Sequence, residues 1–153
     1  MVYQWRSGTR ITGISAQVAG EVCAQLAATG DLNAQRLVDV SRKDGAPLHA
    51  AFEWDDAVAG EEWRKHQARN IINAIVVAKD EHTPVQVRAF FKVENVGSNY
   101  EPVQVIMRSP TKRELLLQDA MRELGVFRKK YATLSELSAV FEAIDSTQMK
   151  FAM

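Results

Sequence analysis

Three carboxylates and a histidine lie close together in the sequence and have the residue types of a metal site. Glu53, Asp55 and Asp56 follow His49 within four to seven positions. Such oxygen ligands suit hard cations, and a bound cation would make the chain a small metal-dependent enzyme. The spacing matches no calcium loop, however, and no histidine pair stands at zinc-ligand spacing. The simpler interpretation is a loop anchored by Phe52 and Trp54, with Asp55 or Asp56 capping the next helix.

Cys23 is the only cysteine, and a pair formed with one of the scattered histidines (His49, His66, His82) could supply a nucleophile and a base. Cys23 falls on the apolar stripe of a predicted helix, which favours packing in the core. The chain contains no glycine-rich phosphate loop, nucleophile elbow or Cys-x-x-Cys pair. We therefore predict a non-catalytic protein with no metal site, no cofactor and no small-molecule substrate.

Two groups of basic residues are the candidates for binding phosphates. They are Arg64, Lys65 and Arg69 on a predicted helix, and Arg128, Lys129 and Lys130 at the end of another. The second group is flanked by Phe127 and Tyr131, which could stack on bases. The alternatives are a solvated basic face for the first group and cations that complement a helix dipole for the second. Because nineteen basic residues balance nineteen acidic ones, no protein-wide positive field is expected.

The first half of the chain reads as three helices. Residues 15–29 carry an apolar stripe at 3.6-residue spacing, and Asn33 suits the N-cap of a second helix over residues 33–41. These two helices have the proportions of a helix-turn-helix, and a plain three-helix packing unit is the alternative. The third helix is expected to begin at Asp55 or Asp56 and to run to about residue 74.

A change to period two then predicts a small sheet. Residues 75–77 are β-branched, and residues 85–93 alternate between apolar and polar types, with only Phe90 breaking the polar face. Residues 95–99 form a turn, and residues 103–108 alternate again as a partner strand. The short connections favour an antiparallel meander of about three strands.

Two more helices are predicted at the C-terminal end. Ser109 and Pro110 suit an N-cap and the first helical position, and residues 133–136 fit a capping box. The fold is thus expected to be a single α+β domain over residues 1–153. It comprises a helical unit (14–74), an antiparallel sheet (75–108) and a helical hairpin (109–146).

Composition restricts the cellular compartment in which the protein is expected. A single cysteine excludes an intramolecular disulfide, and no apolar stretch reaches the length of a membrane span. The N-terminus lacks a continuous apolar signal segment. These observations favour the cytoplasm and predict no membrane partner.

One string of residues in the sequence is distinctive. It begins with Pro47-Leu48-His49, continues through residues 52–56, and ends at Trp63-Arg64 and residues 67–69. It resembles a family of small uncharacterised proteins encoded by bacteriophages and prophages. The resemblance implies a phage or prophage source, hence the host bacterial cytoplasm, and it implies no catalytic residues.

These observations predict a phage-type accessory protein that binds DNA or a nucleoprotein assembly, with the six basic residues contacting phosphates. The first alternative is a protein-interaction or virion-assembly component that self-associates through a sheet edge or the C-terminal hairpin. The second alternative is the carboxylate-based metal-dependent enzyme.

Overall fold

A computed structural model describes residues 1–58, 60–78, 86–93 and 97–152. Some of the residues named in the predictions lie outside the described residues. They are His82, Val85 at the start of a predicted strand, Ala59 in the predicted third helix, and residues 95–96 of the predicted turn. The helices are α1 Ala16–Ala28, α2 Ala34–Ser41, α3 Glu61–Ala74, α4 Val103–Arg108, α5 Pro110–Lys130 and α6 Ser138–Phe151. The strands are β1 Val2–Trp5, β2 Ile75–Ala78, β3 Val87–Arg88, β4 Phe90–Phe91 and β5 Glu101–Pro102. The predicted α+β class is confirmed, with its small antiparallel sheet and its C-terminal helical hairpin.

Three helices begin where the sequence predicts, because a short polar side chain caps each one. The Ser15 hydroxyl accepts a hydrogen bond from the Val18 N–H at 3.2 Å at the start of α1. The Asn33 side chain accepts from the Arg36 N–H at 2.9 Å in the same way for α2. Ser109 caps α5. Each cap satisfies an N–H group that the first turn of a helix leaves without an intrahelical partner.

The main sheet has the antiparallel order β1-β2-β3. Tyr3 pairs with Val77 and Trp5 with Ile75, so the N-terminal segment forms an edge strand. α3 ends at Ala74 and β2 begins at Ile75, so helix and strand join without a loop. A second, two-stranded sheet pairs β4 with β5.

The predicted strand over residues 103–108 is wrong: this segment is the helix α4. An alternating strand would have turned Val103, Val105 and Met107 inward and left Ile106 on the opposite face. In the helix Ile106 is fully buried, whereas Val105 and Met107 are exposed. The Val103 N–H donates to the Ala89 carbonyl at 2.9 Å and ties the start of α4 to the break between β3 and β4. Burying Ile106 therefore outweighs a short period-two pattern.

The predicted continuous strand over residues 85–93 is divided at Ala89. β3 pairs with β2, while β4 pairs with β5. The Ala89 N–H donates to Ile75, so the backbone between the two pieces remains bonded to the main sheet. The division places Phe90 in the core, although the alternation assigned it to the polar face.

The third helix begins later than predicted, at Glu61 with Gly60 as its N-cap residue. Neither aspartate caps it. The Asp55 carboxylate accepts from the Ala57 N–H at 2.9 Å and closes a turn within the preceding loop. Asp56 pairs with Arg64. The capping box at residues 133–136 does not form either, because Ser135–Leu137 is a short 3₁₀ turn and α6 follows from Ser138 without a side-chain cap.

The principal core is formed by α1, α2, α3, the main sheet and Phe90, and its described members lie between Ala19 and Tyr100. The described residues of α5 include none that is buried, and those of α6 include only Phe141 and Ile144. The Arg128–Asp145 ion pair and the Gln148–Met121 hydrogen bond hold these helices antiparallel. The hairpin thus lies outside the principal core. None of the helices in the described ranges has the length and apolar character that a membrane crossing requires.

Gly20 of α1 provides a test of how β1 packs against α1. A Cβ at this position would overlap the ring of Tyr3. Alanine normally stabilises a helix interior by about 0.5–1 kcal/mol relative to glycine. Here we expect Gly20→Ala to lower the free energy of unfolding by about 1–3 kcal/mol, the usual range for overpacking. Gly125→Ala in α5 is the matched control, because its Cβ would meet only the end of the Gln148 side chain. Urea denaturation measures both, and a G20A variant at least as stable as the wild type would contradict the packing.

Candidate functional site

Arg64, predicted to contact phosphates, is instead buried within the protein. Its side chain is 6% exposed. Its Nε donates to the Glu53 carbonyl at 3.0 Å, and its terminal nitrogens bond Glu61 at 3.3 Å and Asp56. A buried guanidinium requires such partners, since an unpaired charge in the interior is strongly unfavourable. The assignment of Arg64 as a phosphate contact is therefore wrong.

Trp54 lies beside Arg64 and explains the aromatic and acidic run that distinguishes this sequence. The Arg64 guanidinium stands 5.4 Å from the centroid of the Trp54 ring, and His49 stacks on the same indole at 5.0 Å. The indole N–H donates to the His49 carbonyl at 2.8 Å. Phe52, 7% exposed, anchors the loop in the core. The prediction of a loop anchored by Phe52 and Trp54 is confirmed.

Arg42 and Glu61 extend this arrangement from α3 to the end of α2. Their side chains form an ion pair, and Gln35 of α2 donates to Glu61 at 3.0 Å. The pKa of Glu61 is lowered to about 2. The main cause is the hydrogen bond from Arg42, followed by the hydrogen bonds from Gln35 and Arg64. Glu61 is therefore charged at neutral pH and links the two helices electrostatically.

The residues considered for catalysis are engaged in local structure. The Glu53 carboxylate accepts from the Asp55 N–H at 3.0 Å, and the His49 ring contacts the Ser41 carbonyl at 2.9 Å. Over the described ranges, no three side chains of the ligating types come together to hold a metal ion. Cys23 is fully buried, as predicted, and burial raises the pKa of its thiol to about 12.

The other predicted phosphate contacts have different environments. Arg128 makes two hydrogen bonds to Asp145, at 2.7 and 3.0 Å, so it stabilises the hairpin. Lys65 pairs with Glu62 at 2.8 Å. Arg69, Lys129 and Lys130 are exposed.

Lys92, which follows β4, brings part of both predicted groups together. A cleft of about 360 Å³ is lined by Lys65, Arg69 and Lys92. A second cleft, of about 580 Å³, is lined by Lys92 and by Arg122 and Lys130 of α5. We call the two clefts, joined at Lys92, the basic groove. It runs from α3 past the end of β4 to α5.

Carboxylates and aromatic rings complete the groove. Asp119 and Glu123 of α5 line the larger cleft, and Asp119 pairs with Arg122. Among the described residues of the two clefts, five cations thus face two carboxylates. Phe127 and Tyr131 also line this cleft, with ring centroids 5.0 Å apart. A surface that combines cations with accessible aromatic rings suits a polyanion that carries planar groups.

On the outward side of α2, polar donors are bonded to carboxylates. Gln35 bonds both Asp39 and Glu61, and Arg42 lies near both carboxylates. Arg36 is exposed on this side. A helix that binds in a groove of DNA needs free hydrogen-bond donors for bases and phosphates. On α2, several of the donors are already hydrogen-bonded to carboxylates.

The sequence pattern does not identify Lys92 and Arg122 as members of the groove. Lys92 falls on the polar face of a predicted strand, and Arg122 falls within a predicted helix with no role assigned to it. The local excess of basic residues between Arg108 and Lys130 is the signal that points to Arg122. Nothing near Lys92 in the sequence sets it apart, because only the folded chain brings α3 and α5 to its two sides.

No protein-family model, curated protein or solved structure matches this chain.

Replacing Arg64 tests its structural role. Arg64→Lys keeps the charge but loses the planar set of donors that reaches Glu53, Glu61 and Asp56 together. We expect a thermal unfolding midpoint several degrees lower and a changed emission spectrum, since Trp54 loses its neighbour. Arg69→Lys on the exposed side of the same helix is the control. Equal midpoints for the two variants would show that Arg64 does not hold the loop.

Proposed function

We propose that this chain is a non-catalytic nucleic-acid-binding protein and that the basic groove is its binding surface. The observation that carries the proposal is Lys92, which lines both clefts and thereby joins Lys65 and Arg69 of α3 to Lys130 of α5. Phosphates of a strand would lie against these cations, and such contacts dominate the affinity of proteins for nucleic acids.

A single strand suits the groove better than a duplex. Phe127 and Tyr131 lie beside Lys130, so an unpaired base could stack on a ring while its phosphate meets a cation. Neutral overall charge favours a local, moderate affinity over strong non-specific coating of DNA. We further propose that this nucleic acid is of phage origin, as the predicted resemblance of residues 47–69 to small phage and prophage proteins would imply.

Binding to a fluorescein-labelled, mixed-sequence single strand tests the proposal by anisotropy. If four of the five groove cations, Lys65, Arg69, Lys92 and Lys130, each neutralise a phosphate, affinity should fall roughly 50-fold between about 50 and 200 mM salt. The variant with all four replaced by alanine should bind at least about tenfold more weakly at low salt and show a flatter salt dependence.

The matched control replaces four exposed cations that line neither cleft, namely Lys43, Arg108, Arg113 and Lys150. Both variants lose four charges, so the net charge cannot explain a difference between them. Absence of binding by the wild type at micromolar protein and low salt would eliminate the proposal. Equal losses in both variants would eliminate the groove as its location.

A second candidate function, self-association, is favoured by the outer surface of the hairpin. Val140 and Phe151 are 45% and 50% exposed and, being eleven residues apart, lie on the same side of α6, although the hairpin contributes little to the principal core. Apolar side chains grouped on one substructure are typical of contact surfaces, and a second copy of the chain is the simplest occupant.

Sedimentation velocity over a dilution series tests this candidate. We expect a dimer that dissociates on dilution. A variant with Val140→Asp and Phe151→Asp should remain monomeric with an unchanged circular dichroism spectrum, because a desolvated carboxylate is unfavourable in an apolar interface. A wild type that is monomeric throughout would rule out the second candidate.

A further inference from the structure

Three arginines from two segments of the chain converge on a cleft that the basic groove does not include. Arg6 and Arg10 flank the loop after β1, and Arg88 belongs to β3. Together with Asn70 and Asn73 of α3, they line a cleft of about 420 Å³. None of the described residues that line it is acidic. We propose that this arginine cleft is a binding site for a phosphoryl group.

Arg88 is the most constrained of the three. Its Nε donates to the Phe90 carbonyl at 2.9 Å, its terminal nitrogen bonds the Asn73 side-chain oxygen, and its guanidinium lies 4.9 Å from the Phe91 ring centroid. Within the described ranges it has no carboxylate ion-pair partner. These neutral partners fix the orientation of the guanidinium without forming an ion pair with it.

The electrostatics around Arg88 favour an anion. Burial lowers the pKa of Arg88 below its ordinary value, and the nearby charge of Arg6 adds to this effect. Tyr100 and Glu123 lie on the side of the basic groove, and they raise the pKa of Arg88. A bound anion would stabilise the charged form of Arg88, because an opposite charge at close range offsets desolvation.

The loop between Arg6 and Arg10 supplies further donors and is held in place. The Arg6 N–H donates to the Ala74 carbonyl at 2.8 Å, and the Thr9 N–H donates to the Arg6 carbonyl at 3.0 Å. Gly8, with φ +81°, permits this tight turn and leaves open space where a side chain would stand. The hydroxyls of Ser7 and Thr9 belong to the same cleft.

The chemistry of these groups selects a tetrahedral oxyanion. Guanidinium groups bind phosphate through paired N–H donors, and charge-assisted hydrogen bonds of this kind are the strong ones. A phosphate monoester offers three oxygens and close to two negative charges at neutral pH. Such a group occurs on a phosphorylated small molecule and at the end of a nucleic-acid strand.

Nuclear magnetic resonance titration with inorganic phosphate tests the site directly. We expect saturable shifts of the Ser7, Gly8 and Thr9 amides and of the arginine Nε–H signals, with chloride at equal ionic strength as the reference. The variant with Arg6→Gln and Arg10→Gln should bind at least about tenfold more weakly, because a tenfold loss corresponds to about 1.4 kcal/mol, which is less than one charged hydrogen bond contributes. Both side chains are exposed, so the fold should survive.

Two matched variants separate this site from the basic groove. Arg36→Gln with Arg113→Gln removes two exposed arginines elsewhere and should leave phosphate binding unchanged. The four-alanine groove variant should also retain it. Shifts that do not saturate, that persist in the variant lacking Arg6 and Arg10, or that vanish in the groove variant would overturn the arginine cleft as a distinct site.

Two further titrations identify the source of the phosphoryl group. A sugar phosphate that binds more tightly than inorganic phosphate indicates a free phosphorylated molecule. A single strand whose 5′-phosphorylated form binds more tightly than its 5′-hydroxyl form, with the gain lost in the variant lacking Arg6 and Arg10, indicates a strand end. Phosphate binding without any oligonucleotide binding would refute the proposed function and leave the arginine cleft standing.

Discussion

A buried guanidinium must be surrounded by acceptors, and satisfying Arg64 constrains much of this fold. Its hydrogen bonds reach the loop before α3 at Glu53 and Asp56, and its face covers Trp54. Through Glu61 the same network continues to Arg42 at the end of α2. With Arg64 fixed inward, the neighbouring Lys65 and the residue one turn further on, Arg69, are set at defined angles around the α3 axis. The orientation of two of the five groove cations is thus coupled to this buried charge.

The most conspicuous string in the sequence has a structural role, whereas the surface proposed to bind ligands is assembled from inconspicuous residues. Phe52, Trp54 and Asp56 are needed to seat Arg64 and the loop, and this explains their types and spacing. Lys92, Arg6 and Arg88 stand in ordinary sequence surroundings. Their proximity to other cations depends on strand order and on the path of the chain after β1.

Local rules predicted those elements whose determinants are local. Side-chain caps at Ser15, Asn33 and Ser109 placed the starts of three helices correctly. Prediction failed where tertiary contacts decide between alternatives. The segment at residues 103–108 is helical because the helix buries Ile106, and the strand over residues 85–93 divides because Phe90 enters the core. Arg64 appeared to be a surface cation because sequence periodicity does not reveal that Glu53 and Asp56 would fold back over the helix.

The direct passage from α3 into β2 has a mechanical consequence. Since no loop separates Ala74 from Ile75, a twist of the helix must be taken up by the central strand and its partners on both sides. Lys65 and Arg69 lie within α3, and Asn73, which contacts Arg88, lies one residue before its end. The two surfaces proposed to bind anions therefore share one helix, so a rotation of α3 would displace both of them.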